Sequence, residues 1–588
     1  MVTEHQNGNF DVPYEVHALL RARDWQDRPQ LDELCNWWKD GGFGICSLVG
    51  IGGAGKTAIL DRFLLLLPGG YPEQPRVTKL KELPSSKGLF IFSFYDAPSP
   101  DAFFFELKNW LLGQREKEPS FRELLSVLGQ SGRCILVLDG LEKVQEDGLR
   151  GTYGHISDGL LRKFILSIAD FRLPDVSLII TSRFRLFDPL AERSSYTKQI
   201  NVEKLPTAAC IQLLRERGVK SGTDAALERL AHDYGRHALS VDLVGGFIAR
   251  FHNGDPSEMP PIGELDFSGL DERLNPLDRA IADQERRLGR ITQRYKEALA
   301  ERDPAALALL QRLSLFRIAV SANTLAAIFT GNGKQAVSGP ALAAISNEEL
   351  KHKLHLLVEM RLLELQKASY AGQEAELFTA HPAIRDEFSR QIDSATAIRG
   401  HEAVRRGLEA SLGKKPGSSP STTSELDLLE EIIRHAVKAH QYSAAAQIYL
   451  DRMGGRKNLI GRLGEYVRVS RITQSILGPV EAPSALGLAI PLHICAVLCN
   501  DAAASSLQLG QLQCAEFYLK KGMSISNQIG GAEMTRLTNQ LCHLQWDRGY
   551  LSDACQTLKQ HISLHSDPSA GRIHLTASLN LPVCKVRR

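Results

Sequence analysis

Residues Gly50-Ile51-Gly52-Gly53-Ala54-Gly55-Lys56-Thr57 fit the spacing G-x-x-x-x-G-K-[ST] at every fixed position. The apolar run ICSLV precedes them and TAILDRFLLLL follows, so the segment reads as strand, loop and helix. The glycines admit backbone angles that a side chain would block, which lets successive N–H groups turn toward phosphate oxygens. The N-terminus of the following helix adds the positive end of its dipole. Lys56 supplies a mobile charge for β- and γ-phosphates, and Thr57 a hydroxyl for Mg²⁺. The expected phosphate-binding set is Gly50, Gly52, Gly53, Ala54, Gly55, Lys56, Thr57 and Ala58.

Further along, Cys134-Ile135-Leu136-Val137-Leu138-Asp139 is an apolar run ending in a carboxylate. An aspartate at such a strand tip can hold Mg²⁺ beside Thr57, directly or through water; taken alone it also reads as a turn residue. Glu142 is placed to orient or deprotonate an attacking water, or else belongs only to the turn. The catalytic candidates are therefore Lys56, Asp139 and Glu142. The run VSLIITSR ends in Thr181-Ser182-Arg183. Arg183 is either a reporter of the γ-phosphate or a surface arginine at a strand exit.

The runs GICSLVG, GLFIFSFY, CILVLDG and VSLIITSR are short, rich in β-branched and aromatic residues, and separated by helix-length stretches. Strands buried on both faces of a parallel sheet read this way, so residues 41–205 are expected to form an α/β layered domain. A lead-in, 1–40, has helical spacing in Leu31, Leu34 and Trp38. Residues 206–285 read as helices, among them AALERLAHDYG with a glycine positioned to cap it. Residues 286–395 read as helices followed by a small β element, LLELQKASYAGQEAELFTAH. In 396–588 a Gly/Pro/Ser/Thr-rich linker, GKKPGSSPSTTSE, leads into amphipathic helices.

Composition narrows the class. At roughly 150 residues per domain, 588 residues make about four domains. Hydrophobic residues make up 43% and charged residues 23%, which excludes a mainly disordered chain. The net charge of +2 gives no global basic field for nucleic acid. Ten scattered cysteines, such as Cys35, Cys134, Cys210 and Cys584, form no C-x-x-C pair and no disulfide scaffold, as expected for a reducing cytosol. No apolar run reaches the length of a membrane helix, and the polar start MVTEHQNGNFDVPYE lacks the pattern of a signal peptide. The expected location is cytoplasmic.

Several of these segments together resemble the STAND class of P-loop NTPases, which includes the NB-ARC proteins. VGIGGAGKTAIL is similar to the NB-ARC phosphate loop, LVLDGLE to the acidic strand of that class, and IITSR to its sensor strand. Gly235-Arg236-His237-Ala238-Leu239-Ser240-Val241 resembles the family's G-x-P-L-A-L element, with Ala238 about where the proline that packs on adenine would stand. Thr379-Ala380-His381-Pro382-Ala383-Ile384-Arg385-Asp386 resembles the histidine motif of the family's winged-helix domain. The resemblance implies that His381 touches the β-phosphate of ADP and locks a closed state; on its own His381 reads as a helix cap before Pro382. Trp25-Gln26-Asp27-Arg28 is faintly similar to the F-x-G-R-E segment that lines the adenine pocket. The likeness spans about residues 20–395. It implies a P-loop NTPase parallel-sheet domain, a helical domain and a winged-helix domain, binding ATP/ADP and Mg²⁺, with Arg183 sensing the γ-phosphate.

The C-terminal block carries repeats. LQLGQLQCAEFYLKKG and WDRGYLSDACQTLKQ align with Gly510, Leu512, Ala515 and Leu519 matched by Gly549, Leu551, Ala554 and Leu558, each 39 positions on. Tyr442, Ala445 and Tyr449 repeat the internal spacing. Small residues at helix crossings and glycine at the turn read as an irregular tetratricopeptide-like (TPR-like) solenoid sensing a ligand or protein partner, or as a helical bundle burying a core. About 40 residues precede the phosphate loop, too few for an effector domain, so output is expected from a separate effector protein or from assembly itself. The combined expectation is a multidomain α/β plus α protein. It acts as an adenine-nucleotide switch and slow ATPase, closed with ADP and self-oligomerising with ATP, without membrane or nucleic-acid partners. Its rivals are a constitutive P-loop ATPase, a DNA-binding regulator using the winged helix, and a scaffold holding ADP permanently.

Overall fold

The computed structural model describes residues 14–15, 25–68, 83–95, 99–112, 121–145, 154–156, 158–186, 194–202, 204–259, 276–370, 373–412, 420, 423–478, 490–509, 511–529, 533–550 and 552–557. The chain divides into two compact units, one made of residues 1–326 and 330–392 and the other of 327–329 and 393–588.

In the first unit, six parallel strands run in the spatial order β1-β3-β4-β5-β2-β6. They are β1 (Tyr14–Glu15), β2 (Gly44–Val49), β3 (Gly88–Ser93), β4 (Cys134–Asp139), β5 (Val176–Ser182) and β6 (Thr197–Asn201). Every residue of β2, β3, β4 and β5 is buried, as their apolar runs require. Helices α1 (Pro29–Lys39) and α2 (Lys56–Leu66) cover one face. There Leu34, Trp38, Ile59, Leu60, Phe63 and Leu64 pack with Cys46, Leu48, Ile91, Ile135, Val137 and Ile179 of the strands. Alternate strand residues point to the other face, against α3 (Pro100–Leu112), α4 (Phe121–Gln130) and α5 (Gly159–Ala169). Phe103 sits at the centre of this second core, with ring centroids 5.3 Å from Phe164, 5.8 Å from Phe92 and 6.0 Å from Phe90.

Four of the six strands carry the apolar signal, and the other two lie at the sheet's edges. β6 is TKQIN, with Ile200 its one buried residue, so it carries little of the apolar pattern that marks an interior strand. β1 has two residues and lies in the lead-in. Between β2 and the acidic strand β4 stands β5, which pairs with both, Leu48 and Thr181 being partners on one side and Leu138 and Ile180 on the other. The loop after β2, Asp139 of β4 and Thr181–Arg183 of β5 therefore gather at one end of the sheet, beyond the carboxyl ends of the strands, where open α/β sheets bind ligands.

Three helices follow, Thr207–Glu216, Asp224–Asp233 and Ala238–Phe251. Thr223 caps the second through its side chain, and Gly235, at φ +70°, follows its C-terminus as the glycine signal suggested. The long helix Pro276–Arg302 packs back on them. Its buried Tyr295 hydroxyl contacts the carbonyls of Leu243 and Met360, each at 2.9 Å. Helices Pro304–Leu313, Ala322–Phe329 and Asn347–Glu359 then accompany a three-stranded antiparallel sheet, β7 (Val320–Ser321), β9 (Gln373–Thr379) and β8 (Glu364–Tyr370) in spatial order, which is a winged-helix arrangement. Asn347–Glu359 begins with a capping box between Ser346 and Glu349.

The second unit is helical, with principal helices Ser394–Ser411, Thr423–Lys438, Tyr466–Leu477, Leu492–Gln508, Leu512–Ile529 and Glu533–Asp547. Ala445 and Ala515 are fully buried. At Gly522 an added Cβ would lie 2.9 Å from Leu537 Cδ2 and 3.0 Å from Cys499 Cβ, so successive helices cross at close range there. Gly510, Leu551, Leu558, Cys584 and most of the linker lie outside the described residues. Among the described residues no helix is long and apolar enough to cross a membrane, no cluster suits a metal ion by His/Cys/Asp/Glu grouping, and the cysteines are free thiols.

Candidate functional site

The glycine-rich loop joins β2 to α2, and each of its carbonyl oxygens from Gly50 to Gly55 meets a donor of the protein. Lys56 Nζ donates to Gly50 O at 2.6 Å and Ile51 O at 3.1 Å. His237 Nε2 meets Gly52 O at 2.8 Å, and Leu239 N donates to Gly53 O at 3.3 Å. Arg28 Nη1 donates to Ala54 O at 2.8 Å, and Ile59 N closes the first helical bond on Gly55 O at 3.0 Å. A trans peptide is planar and opposes its C=O and N–H. Fixing the Gly52 carbonyl toward His237 and the Ala54 carbonyl toward Arg28 therefore turns the N–H groups of Gly53 and Gly55 away from those side chains. Lys56, Thr57 and Ala58 form the first turn of α2, where no carbonyl one turn earlier is available to their amides. The result is a concave set of backbone donors at a helix N-terminus, a general anion site.

Two glycines are required by this packing. Gly53 has φ +79°, and a Cβ there would stand 2.8 Å from the His237 ring. Gly55 has φ +95°, and a Cβ would stand 2.5 Å from Arg28 Nη1. Any L-residue is strained at these angles, and the neighbours that hold the loop leave no room for a side chain.

Around the loop, Asp139 Oδ1 accepts from Thr57 Oγ1 at 3.1 Å and from Thr181 Oγ1 at 2.6 Å. Thr181 Oγ1 in turn accepts from Gly140 N at 2.9 Å, so the hydroxyl is aimed at the carboxylate. Burial pushes the Asp139 carboxyl up to about 6 despite the two hydroxyl donors, and pushes the Lys56 ammonium down to about 8. Glu142 lies in a short helical turn after β4. Its carboxylate accepts from the Tyr95 hydroxyl at 2.5 Å and from Arg183 N at 3.2 Å, and it forms an ion pair with Arg183 Nε at 3.3 Å. The Arg183 guanidinium also reaches the loop, with Nη2 3.0 Å from the position of a Cβ on Gly52. Burial, then Glu142, raises the Tyr95 phenol well above its ordinary value and keeps it a donor.

His381 comes to the same place from the start of helix Pro382–Arg390. Its Nδ1 accepts from Ala383 N at 3.2 Å, so it does cap that helix. It is also close enough to Lys56 and Arg183 that their charges, after burial, help to push its imidazole down to about 4. His237 is likewise held neutral: burial, opposed by its bond to Gly52 and reinforced by Lys56 and His381, takes it down to about 3.

The loop residues, Asp139, Glu142 and Arg183 thus lie together at one end of the sheet, and His381 stands within range of the charges on Lys56 and Arg183. Sequence reasoning missed Arg28, Tyr95 and His237 as loop and carboxylate contacts. From Gly235–Val241 the structure puts the His237 ring and the Leu239 amide against the loop, and Ala238 opens the helix that follows. The segment Trp25–Arg28 is a neighbour of the loop through Arg28, while Gln26 hydrogen-bonds Glu216 at 2.5 Å.

No protein-family model and no curated protein sequence matches the chain. Among solved structures it is similar to a signal transduction ATPase with numerous domains (STAND) protein with a tetratricopeptide repeat sensor from Pyrococcus horikoshii. The identity is 15%, over 93% of this chain and 71% of that one, with a TM-score of 0.42. A Walker-type ATPase of Pyrococcus abyssi is 14% identical over 64% of this chain and 99% of its own, with a TM-score of 0.28. The Aeropyrum pernix ORC1 protein, solved in complex with DNA, is 15% identical over 63% and 94%, with a TM-score of 0.25. Each is a distant likeness.

The neutral histidine makes a pH prediction. The unfolded chain protonates His237 below about pH 6.5, and the folded chain resists until about 3. Its contribution to stability is therefore intact above about 6.5 and is lost as pH falls. His237→Gln keeps a donor near the Nε2 position and removes the titration. From pH 7 to pH 5, the wild type should lose about 2 kcal/mol more unfolding free energy than His237→Gln. Denaturant titrations at the two pH values check this; parallel losses in both proteins would refute it.

Proposed function

We propose that the chain is an ATP/ADP-binding switch of the STAND, NB-ARC-like kind, closed with ADP and self-associating with ATP, with slow hydrolysis as its reset. The observation that carries the reading is the convergence on one glycine loop of Lys56, Thr57 with Asp139, Arg183 from the neighbouring strand and His381 from the winged-helix part. An anion-binding loop alone would serve any phosphate. A cation from a second strand and a histidine from a distant element give the site parts that can register which phosphates are present.

Lys56 and the amides of Gly53, Gly55, Lys56, Thr57 and Ala58 would hold the phosphates. Phosphate oxygens would take Lys56 from the two loop carbonyls it now occupies. Thr57 and Asp139 fit a magnesium ion, because both are hard oxygen donors and the buried Asp139 carboxyl, pushed up to about 6, gains most from a divalent partner. Bound there, the ion would neutralise phosphate charge. Arg183 would meet the γ-phosphate at the cost of its contact with Glu142. His381, neutral and capping its own helix through Nδ1, has Nε2 left to donate to a phosphate oxygen.

Slow turnover follows from the setting of Glu142. Its two oxygens carry the Tyr95 hydroxyl, the Arg183 amide and the Arg183 guanidinium. A carboxylate so held is not free to orient a water until these partners move. The helical second unit would sense a ligand or protein partner, and the output would come from assembly or a separate effector.

The direct test is the nucleotide carried by the purified protein, read after denaturation, with a sizing run before and after ATP and Mg²⁺. Stoichiometric ADP and a monomer that grows with ATP are expected; an empty protein of unchanged size would favour a constitutive ATPase, and retained ADP with unchanged size a scaffold. Lys56→Ala should abolish retention, and ADP held as tightly as by the wild type would sink the assignment. Tyr95→Phe should raise the single-turnover hydrolysis rate several-fold by freeing Glu142. An unchanged or lower rate, with ATP binding intact, would contradict the proposed restraint.

A further inference from the structure

One buried chain of hydrogen bonds runs from the phosphate loop to the long helix Pro276–Arg302. Gly52 O can only accept, so the proton between it and His237 Nε2, 2.8 Å away, belongs to the histidine. A neutral imidazole then has a bare Nδ1, and the donor that reaches it is the Ser240 hydroxyl at 3.2 Å. Ser240 Oγ accepts in turn from Gln284 Nε2 at 2.8 Å. All three side chains are at most 7% exposed, so water does not compete for these bonds. Each donor is fixed by the next acceptor, and the direction of the whole chain is set at Gly52.

The backbone around it is built for this contact. Gly235 and Arg236 both have positive φ, +70° and +51°, which for an arginine is unfavourable by about 1 kcal/mol or more. That turn delivers His237 to the loop. A side chain at 235 would strike Gln284 Oε1, 2.9 Å from the Cβ position. Gln284 lies on the long helix Pro276–Arg302, which is anchored next to it by Arg287 donating to Asp233 O, the guanidinium being braced within the helix by Asp283.

We infer that His237 is a positioning residue for phosphate binding, and that Ser240 and Gln284 couple its hold on the Gly52 carbonyl to the placement of helix Pro276–Arg302. The inference rests on the nucleotide reading above. The Gly52–Gly53 peptide plane carries the Gly53 N–H, one of the loop donors, and His237 sets that plane from the carbonyl side. A shift of the long helix that withdraws Gln284 leaves Ser240 free to turn its hydroxyl elsewhere. The ring then loses the partner that fixes its tautomer, and the loop loses its donor. Phosphate binding, by the same linkage, favours the helix position seen here.

The test is equilibrium titration of the full chain with a fluorescent ADP analogue and Mg²⁺, for the wild type, His237→Leu, His237→Gln and Gln284→Leu, each with its unfolding midpoint. His237→Leu should bind about tenfold more weakly, and His237→Gln, which can still donate to Gly52 O, within about threefold of the wild type. Gln284→Leu should bind several-fold more weakly although it does not touch the loop. Wild-type affinity in His237→Leu overturns the inference. So does wild-type affinity in Gln284→Leu, or a His237→Gln as weak as His237→Leu with an undisturbed midpoint. If His237→Leu does not fold, the Gln284→Leu and His237→Gln comparison decides. A wild type that binds no ADP analogue overturns the nucleotide reading itself, and the relay with it.

Discussion

The site depends on where six backbone carbonyls point. In a loop of residues 50–55 the peptide planes are free to rotate unless something holds them, and an anion site needs its N–H groups presented together. The protein holds the planes by their oxygens: Lys56 takes two, His237, Arg28 and Leu239 N take one each, and the helix takes the last. The donors come from the segment before α1, from α2 itself and from the turn and helix start at 237–239. The loop is a junction of separate elements of the first unit, and its shape reports on all of them.

The same site collects charges under unfavourable conditions. Burial pushes Lys56 down to about 8, Asp139 up to about 6, His237 down to about 3 and His381 down to about 4. Every one of these shifts means that the charged form is disfavoured where it sits. A polyphosphate favours the lysine's charge, and a divalent cation favours the aspartate's. Binding therefore relieves costs that the fold carries, which is how a ligand stabilises one arrangement of parts over another.

Much of this was legible in the sequence because it is local. The loop, its flanking strand and helix, and the tip of β4 are contiguous segments whose residue types declare their geometry. The strands β2–β5 showed themselves because both faces are buried. β6 did not, because an edge strand with a solvated face, TKQIN, lacks the continuous apolar run. Arg183 was read from a polar strand end with two roles open and His381 from motif likeness, and the structure puts both within range of the Lys56 charge. Arg28 and His237 lie in segments that family likeness singled out, but nothing in the sequence showed what they touch, and Tyr95 carried no signal at all. Each acts across the fold on a backbone carbonyl or a carboxylate far along the chain, and such a contact leaves no spacing pattern. Gly235 was readable as a helix-capping glycine, but the positive φ of Arg236 and what His237 faces were not.

The most direct test of the account is amide hydrogen exchange of the full chain with and without ADP and Mg²⁺. If the loop, the 235–241 turn and the 379–385 segment form one phosphate-facing site, ADP should slow exchange in peptides from all three together, while the second unit's helix Leu492–Gln508 stays unchanged. Protection confined to residues 50–58, or absent from all three, would contradict it.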